Sequence, residues 1–251
     1  LDPQFAVGYN GLGLAVEESG NIAEAISLYR KAVELSPGLA QAHNNLGTAL
    51  EKTGRVVEAL DQYQQAITCN PELAQAHNNL GVLLRRLGKV QESIEHHRAA
   101  IGLNPSSALA YSNLGAALEA AGNREASLAS FRKAVALQPD LPAANYALAD
   151  ALLRSGKTEE AVTYLRKAVK LNPKFLEAYA NLGIALLGMG RVPEAVQSLK
   201  QAVALDNNAP GLHNALGVAL AQSGQRSEAV EHFTRAMQLD PKDERAKQNL
   251  Q

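Results

Sequence analysis

The chain has 251 residues, with 24 Lys plus Arg against 25 Asp plus Glu and a formal net charge of −1, so it lacks the basic surplus of a general nucleic-acid binder. Apolar residues make up 46% and charged residues 20%, which excludes a chain disordered by composition. Trp is absent, no apolar run is long enough to cross a membrane as a helix, and the one cysteine, Cys69, excludes an internal disulfide framework or a Cys-based zinc cluster.

The opening residues Leu1-Asp2-Pro3-Gln4-Phe5 carry neither a start methionine nor a signal peptide, and read as the interior of a longer chain. From Ala6 the pattern is helical. A first amphipathic helix is expected over 6–19, closed by Gly20, and a second over 23–36, closed by Pro37. The same phrase then returns. Leu12-Gly13 recurs as Leu46-Gly47, Leu80-Gly81, Leu114-Gly115, Leu148-Ala149, Leu182-Gly183 and Leu216-Gly217, always 34 residues on. The turn glycine recurs at Gly54, Gly88, Gly122, Gly156, Gly190 and Gly224. An alanine recurs at Ala32, Ala66, Ala100, Ala134, Ala168, Ala202 and Ala236. Prolines fall at Pro37, Pro71, Pro105, Pro139, Pro173 and Pro241, with Asn207 in the remaining slot. Pro142, Pro193 and Pro210 fall at the first turn of a helix, where proline is tolerated. Small residues at fixed positions let paired helices approach closely, with Leu12, Val16, Tyr29 and Leu35 filling the gaps.

Read as Tyr9, Leu12, Gly13, Val16, Ala25, Tyr29, Ala32 and Pro37, the first unit resembles the tetratricopeptide repeat. The signature's Trp is replaced throughout by Tyr9, His43, His77, Tyr111, Asn145, Tyr179 and His213. The resemblance covers the whole chain and implies an all-α fold, a right-handed superhelical solenoid of tandem helix-turn-helix repeats. The repeats are 6–39, 40–73, 74–107, 108–141, 142–175, 176–209 and 210–243. Residues 1–5 are expected to finish an earlier repeat, and 244–251 to start a further one or a truncated cap.

Residues of catalytic type find packing roles. His43, His77 and His213 stand in the signature's aromatic position, and His97 takes the phase of Tyr29 and Tyr63. His96 and His97 diverge by about 100° on a helix and cannot share an ion from one face. Cys69 aligns with Leu35, Leu103, Leu137, Leu171, Leu205 and Leu239 and is expected to be buried and inert. The carboxylate pairs Glu17-Glu18 and Glu159-Glu160 suit solvated helix ends, and no phosphate-loop, zinc-protease or nucleophile-elbow motif is present. No catalytic residue, metal or cofactor is expected.

The family resemblance implies a concave groove lined by the first helix of each repeat. Its fifth and sixth positions supply Asn10, Asn44, Asn45, Asn78, Asn79, Asn113 and Asn181. Asparagine is a poor helix former, and its carboxamide suits the backbone of an extended peptide. Replacing Asn45, Asn79 or Asn113 by Ala is therefore expected to weaken a partner and leave folding intact or improved. Arg85 and Arg86 make a basic spot, while Leu153, Ile184, Leu187 and Val218 line an apolar stretch. A clamp for chaperone tails would need lysine at the second position, which holds Val7, Gln41, Gln75, Leu109, Ala143, Glu177 and Gly211.

The expected function is a non-enzymatic, cytoplasmic interaction scaffold that binds a protein or peptide in its groove. It is expected to bind no nucleic acid and insert in no membrane, with end-to-end self-association through the terminal repeats. The Asn-Leu-Gly runs at 45–47, 79–81, 113–115 and 181–183 also resemble the repeats of protein O-linked N-acetylglucosamine transferases and of bacterial repeat arrays fused to glycosyl- or sulfotransferases. That likeness implies a substrate-recognition arm whose catalytic domain lies elsewhere.

Overall fold

Each 34-residue period closes into two antiparallel helices in the computed structural model, which describes residues 3–242 and 244–249. The first pair is α1 (Pro3–Glu18) and α2 (Ile22–Leu35), the second α3 (Ala40–Lys52) and α4 (Val56–Cys69). The third is α5 (Ala74–Arg86) and α6 (Val90–Leu103), the fourth α7 (Ala108–Ala120) and α8 (Arg124–Leu137). These eight helices form one compact unit, Leu1–Leu137. A second unit, Gln138–Gln251, pairs α9 (Pro142–Arg154) with α10 (Thr158–Leu171), α11 (Leu176–Gly188) with α12 (Val192–Leu205), and α13 (Pro210–Gln222) with α14 (Arg226–Leu239). A short α15 (Glu244–Asn249) packs on α13 and α14. There is no strand among the described residues.

The turn inside each pair is built by glycine. Gly54 adopts φ 77°, which L side chains resist. The chain can then reverse so that the Gly54 and Arg55 N–H groups donate to the Glu51 and Leu50 carbonyls, each at 3.0 Å. The same positive φ recurs at the equivalent glycine of all seven repeats. Pro142, Pro193 and Pro210 do open helices, in their first turns.

Close approach explains the second recurring glycine. A Cβ on Gly47 would lie 2.7 Å from the Tyr63 ring, and one on Gly115 2.8 Å from Phe131. The fifth repeat instead holds Ala149 at this slot, with Leu165 at the ring slot, both fully buried. The recurring alanines are also fully buried or nearly so. Enlarging one without a matching deletion overpacks the helix contact. Ala168→Leu should therefore lower stability by about 1–3 kcal/mol, read as a lower urea midpoint.

Three local expectations are corrected. α1 begins at Pro3, three residues ahead of the expected helix start at Ala6. Leu12 is 53% exposed, whereas its equivalents Leu46 and Leu80 are buried by the preceding pair, because no described helix covers that side of α1. Cys69 is exposed rather than buried, its thiol donating to the Pro37 carbonyl at 3.3 Å. The leucines in its phase show why: Leu103 and Leu205 are about 40% exposed, so this position sits at the rim of the stack. A maleimide should accordingly label Cys69 stoichiometrically in the native protein, and Cys69→Leu should shift stability by no more than about 0.5 kcal/mol.

Candidate partner-binding surface

In the first unit the side chains expected to grip a partner first grip one another. Asn45 Nδ2 donates to Asn10 Oδ1, Asn79 Nδ2 to Asn44 Oδ1, and Asn113 Nδ2 to Asn78 Oδ1, each at 3.0 Å. The sixth position of one repeat thus bonds the fifth position of the repeat before it. In the second unit Asn181 Nδ2 donates to the Tyr146 hydroxyl at 3.3 Å, and Asn249 Nδ2 to Asn214 Oδ1 at 2.9 Å. Where the rung is missing, both ends have changed: Ala215 follows Ala180. The signal was legible as a pair 35 residues apart, but single positions do not reveal it.

Burial follows from this pairing. Asn44 is fully buried, and Asn10, Asn45 and Asn78 nearly so, while Asn79, Asn113 and Asn181 are half-buried. Asn44 therefore meets no partner in this conformation. Each rung uses one of the two Nδ2 hydrogens, so Asn79 and Asn113 keep Oδ1 and a second N–H to offer a ligand. Asn45 Oδ1 already accepts from Gln41 Nε2 at 2.9 Å.

A second ladder runs along the ends of the same helices. Glu17 accepts from the Tyr29 hydroxyl at 2.6 Å and from Lys52 at 2.8 Å; Glu51 accepts from the Tyr63 hydroxyl at 3.1 Å and from Arg86. Burial, then the neighbouring carboxylate, pushes the Tyr29 phenol up, so it stays a donor. The expected two-arginine spot is thereby halved, because Arg86 is neutralised by Glu51. Arg85 is different. It occupies the slot of Glu17 and Glu51, is half-buried, and faces Ala120 in the ladder's pattern where a counter-charge would stand. Its charge helps to depress the pKa of His97, after burial itself.

These elements enclose two open clefts. One of about 260 Å³ is lined by Leu14 and Glu17 of α1, Asn45, Thr48 and Lys52 of α3, and Gln75 of α5. Another of about 290 Å³ lies between α5, the end of α6 and α7, lined by Gln75, Asn79, Asn104, Ser107 and Leu109 among others. In the second unit the expected apolar stretch is graded: Ile184 is 53% exposed, and Leu153, Leu187 and Val218 are half-buried.

Paired helices, a glycine-built turn and helix-to-helix rungs at a fixed period define a tandem-repeat interaction fold. Tetratricopeptide-repeat family models match residues 43–174 and, separately, 10–74, 146–210 and 180–244, and the chain belongs to that family. No curated protein matches it. Among solved structures it resembles YrrB, described as a TPR protein with an unusual peptide-binding site, at 24% identity and TM-score 0.65, over 74% of this chain and 96% of that one. PilF of Pseudomonas aeruginosa aligns at 19% identity and TM-score 0.69, over 98% and 96% of the two chains. TTC0263, a thermophilic TPR protein of Thermus thermophilus, aligns at 25% identity and TM-score 0.61, over 72% and 99%. No helix among the described residues is long and apolar enough to cross a membrane.

Proposed function

We propose that the chain is a non-enzymatic scaffold that holds an extended protein segment against the first helices of its repeats. One observation carries the reading: a cleft lined jointly by α1, α3 and α5 mixes carboxylate, amine, hydroxyl and carboxamide groups without converging on a reactive geometry. Such a surface recognises backbone and polar side chains. YrrB, similar in fold, is described as having a peptide-binding site, which supports the same reading here. Arg85, with no ion-pair partner among the described residues, favours an acidic residue in the segment held by the first unit, and that attraction is screened by salt.

The test uses captured binding partners and substitutions that spare the rungs. Thr48→Arg with Gln75→Arg should block the cleft and lower affinity at least tenfold at unchanged melting temperature. Val57→Arg, at a side chain 81% exposed on α4, should leave binding unchanged. Equal capture by all three proteins would refute the groove. The Asn rungs also support a second reading, in which the same surface presents polypeptide substrates to a glycosyl- or sulfotransferase domain. That reading predicts that captured partners are modified when such a domain is supplied.

A further inference from the structure

Outside the groove, the histidines form two matching pairs that no sequence neighbour relation announces. His77 of α5 and His96 of α6 approach Nδ1 to Nδ1 at 3.0 Å; His213 of α13 and His232 of α14 do so at 2.9 Å. The ring centroids lie 5.3 and 5.2 Å apart, so the rings meet through their Nδ1 atoms. The other nitrogen of the first ring is fixed in both cases. His77 Nε2 meets the Pro71 carbonyl at 3.0 Å, and His213 Nε2 meets the Asn207 carbonyl at 3.1 Å. A carbonyl only accepts, so Nε2 carries the proton and Nδ1 presents a lone pair. Holding the remote N–H on a carbonyl is the arrangement that orients imidazole ligands toward metals.

The sequence adds an independent observation. The residue preceding the second histidine is Glu95 in one pair and Glu231 in the other, and each acts electrostatically on its neighbouring imidazole. The equivalent positions hold Ser27, Ala129, Thr163 and Gln197 in the four repeats whose first helix carries no histidine here, and Asp61 in the second repeat, where His43 meets Gln62 instead of a second imidazole. Negative charge thus accompanies each first-helix histidine, the two imidazole pairs included.

We propose that each pair is a two-imidazole site for a divalent transition ion of the zinc type. In the empty pair one Nδ1–H bridges the rings. When His96 or His232 moves that proton to its own Nε2, two lone pairs face one another and no proton need leave the protein. Two Zn–N bonds of about 2.0–2.1 Å at a tetrahedral angle separate the nitrogens by about 3.3–3.4 Å. The pairs must therefore open by a few tenths of an ångström, with a swing of His96 or His232, both half-buried. No third His, Cys, Asp or Glu ligand is grouped with them among the described residues, so water completes the shell and the glutamates contribute field. Imidazole selects such an ion over Mg²⁺ or Ca²⁺. A bound ion would staple the two helices of the third and seventh repeats, and through the carbonyl bonds hold the closing turn of the preceding repeat. His96 and His97 still cannot share an ion from one helix face. The second ligand comes from the other helix.

The second repeat supplies both the control and the substitution. There His43 meets Gln62 Oε1 at 2.8 Å instead of a second imidazole. His96→Gln and His232→Gln therefore copy a pair the fold already accommodates. Titrating Zn²⁺ alone into the protein near pH 7.5 should show two ions per chain, one in each single variant and none in the double variant. Excess Zn²⁺ should raise the melting temperature of the wild type and not of the double variant. The imidazole NMR signals of His77, His96, His213 and His232 should move while those of His43 and His97 stay in place. Equal stoichiometry in wild type and double variant, or movement of the His43 and His97 signals alone, overturns the proposal.

Discussion

His97→Phe should stabilise the protein at neutral pH by about 1–2 kcal/mol and flatten its acid unfolding. His97 is fully buried between its own helix pair, and neither ring nitrogen has a hydrogen-bond partner. Phenylalanine already fills the equivalent slot at Phe131 and Phe233, over Gly115 and Gly217. Burial first, then Arg85 and His96, lowers the His97 pKa from 6.5 to about 4. The sign follows from linkage. Between those values the unfolded chain binds the proton that the folded one refuses. Stability is therefore fully present above about pH 6.5 and falls as the pH drops toward 4, by about 3 kcal/mol from this residue. His96 and His232, lowered chiefly by burial, act in the same direction. Urea midpoints measured at pH 7.5, 6 and 5 decide the matter. A His97→Phe profile parallel to that of the wild type would show that His97 is not the acid-sensitive group.

Asn44→Ala should destabilise by about 1–3 kcal/mol, against the helix-propensity gain of alanine, because Asn79 Nδ2 loses its acceptor in a half-buried place. This reverses the expectation from residue type alone, that the asparagines are free of structural duty. Asn79→Ala removes the donor, and the double variant Asn44→Ala/Asn79→Ala reproduces the Ala180 and Ala215 arrangement of the second unit. The double variant should recover part of the loss, with a coupling of about 0.5–1.5 kcal/mol in a double-mutant cycle. Strict additivity would mean that the rung carries no energy.

Sequence alone determined the repeat period, the helix pairs, the turn glycines, the first-turn prolines and the buried alanines. Each is a local requirement, a backbone angle, a missing N–H or a close contact, and local requirements repeat wherever the geometry repeats. Cys69 shows the limit of that logic, since sharing a phase with leucines does not distinguish core from rim. Tertiary structure decided what the asparagines, Arg86 and the histidines do. Asn44 and Asn79 are 35 residues apart, Glu51 and Arg86 likewise, and His77 and His96 are 19 apart. Only stacking brings such groups within reach, so a side chain that looks free on its own helix is spent on the next one, and two unremarkable imidazoles become a pair.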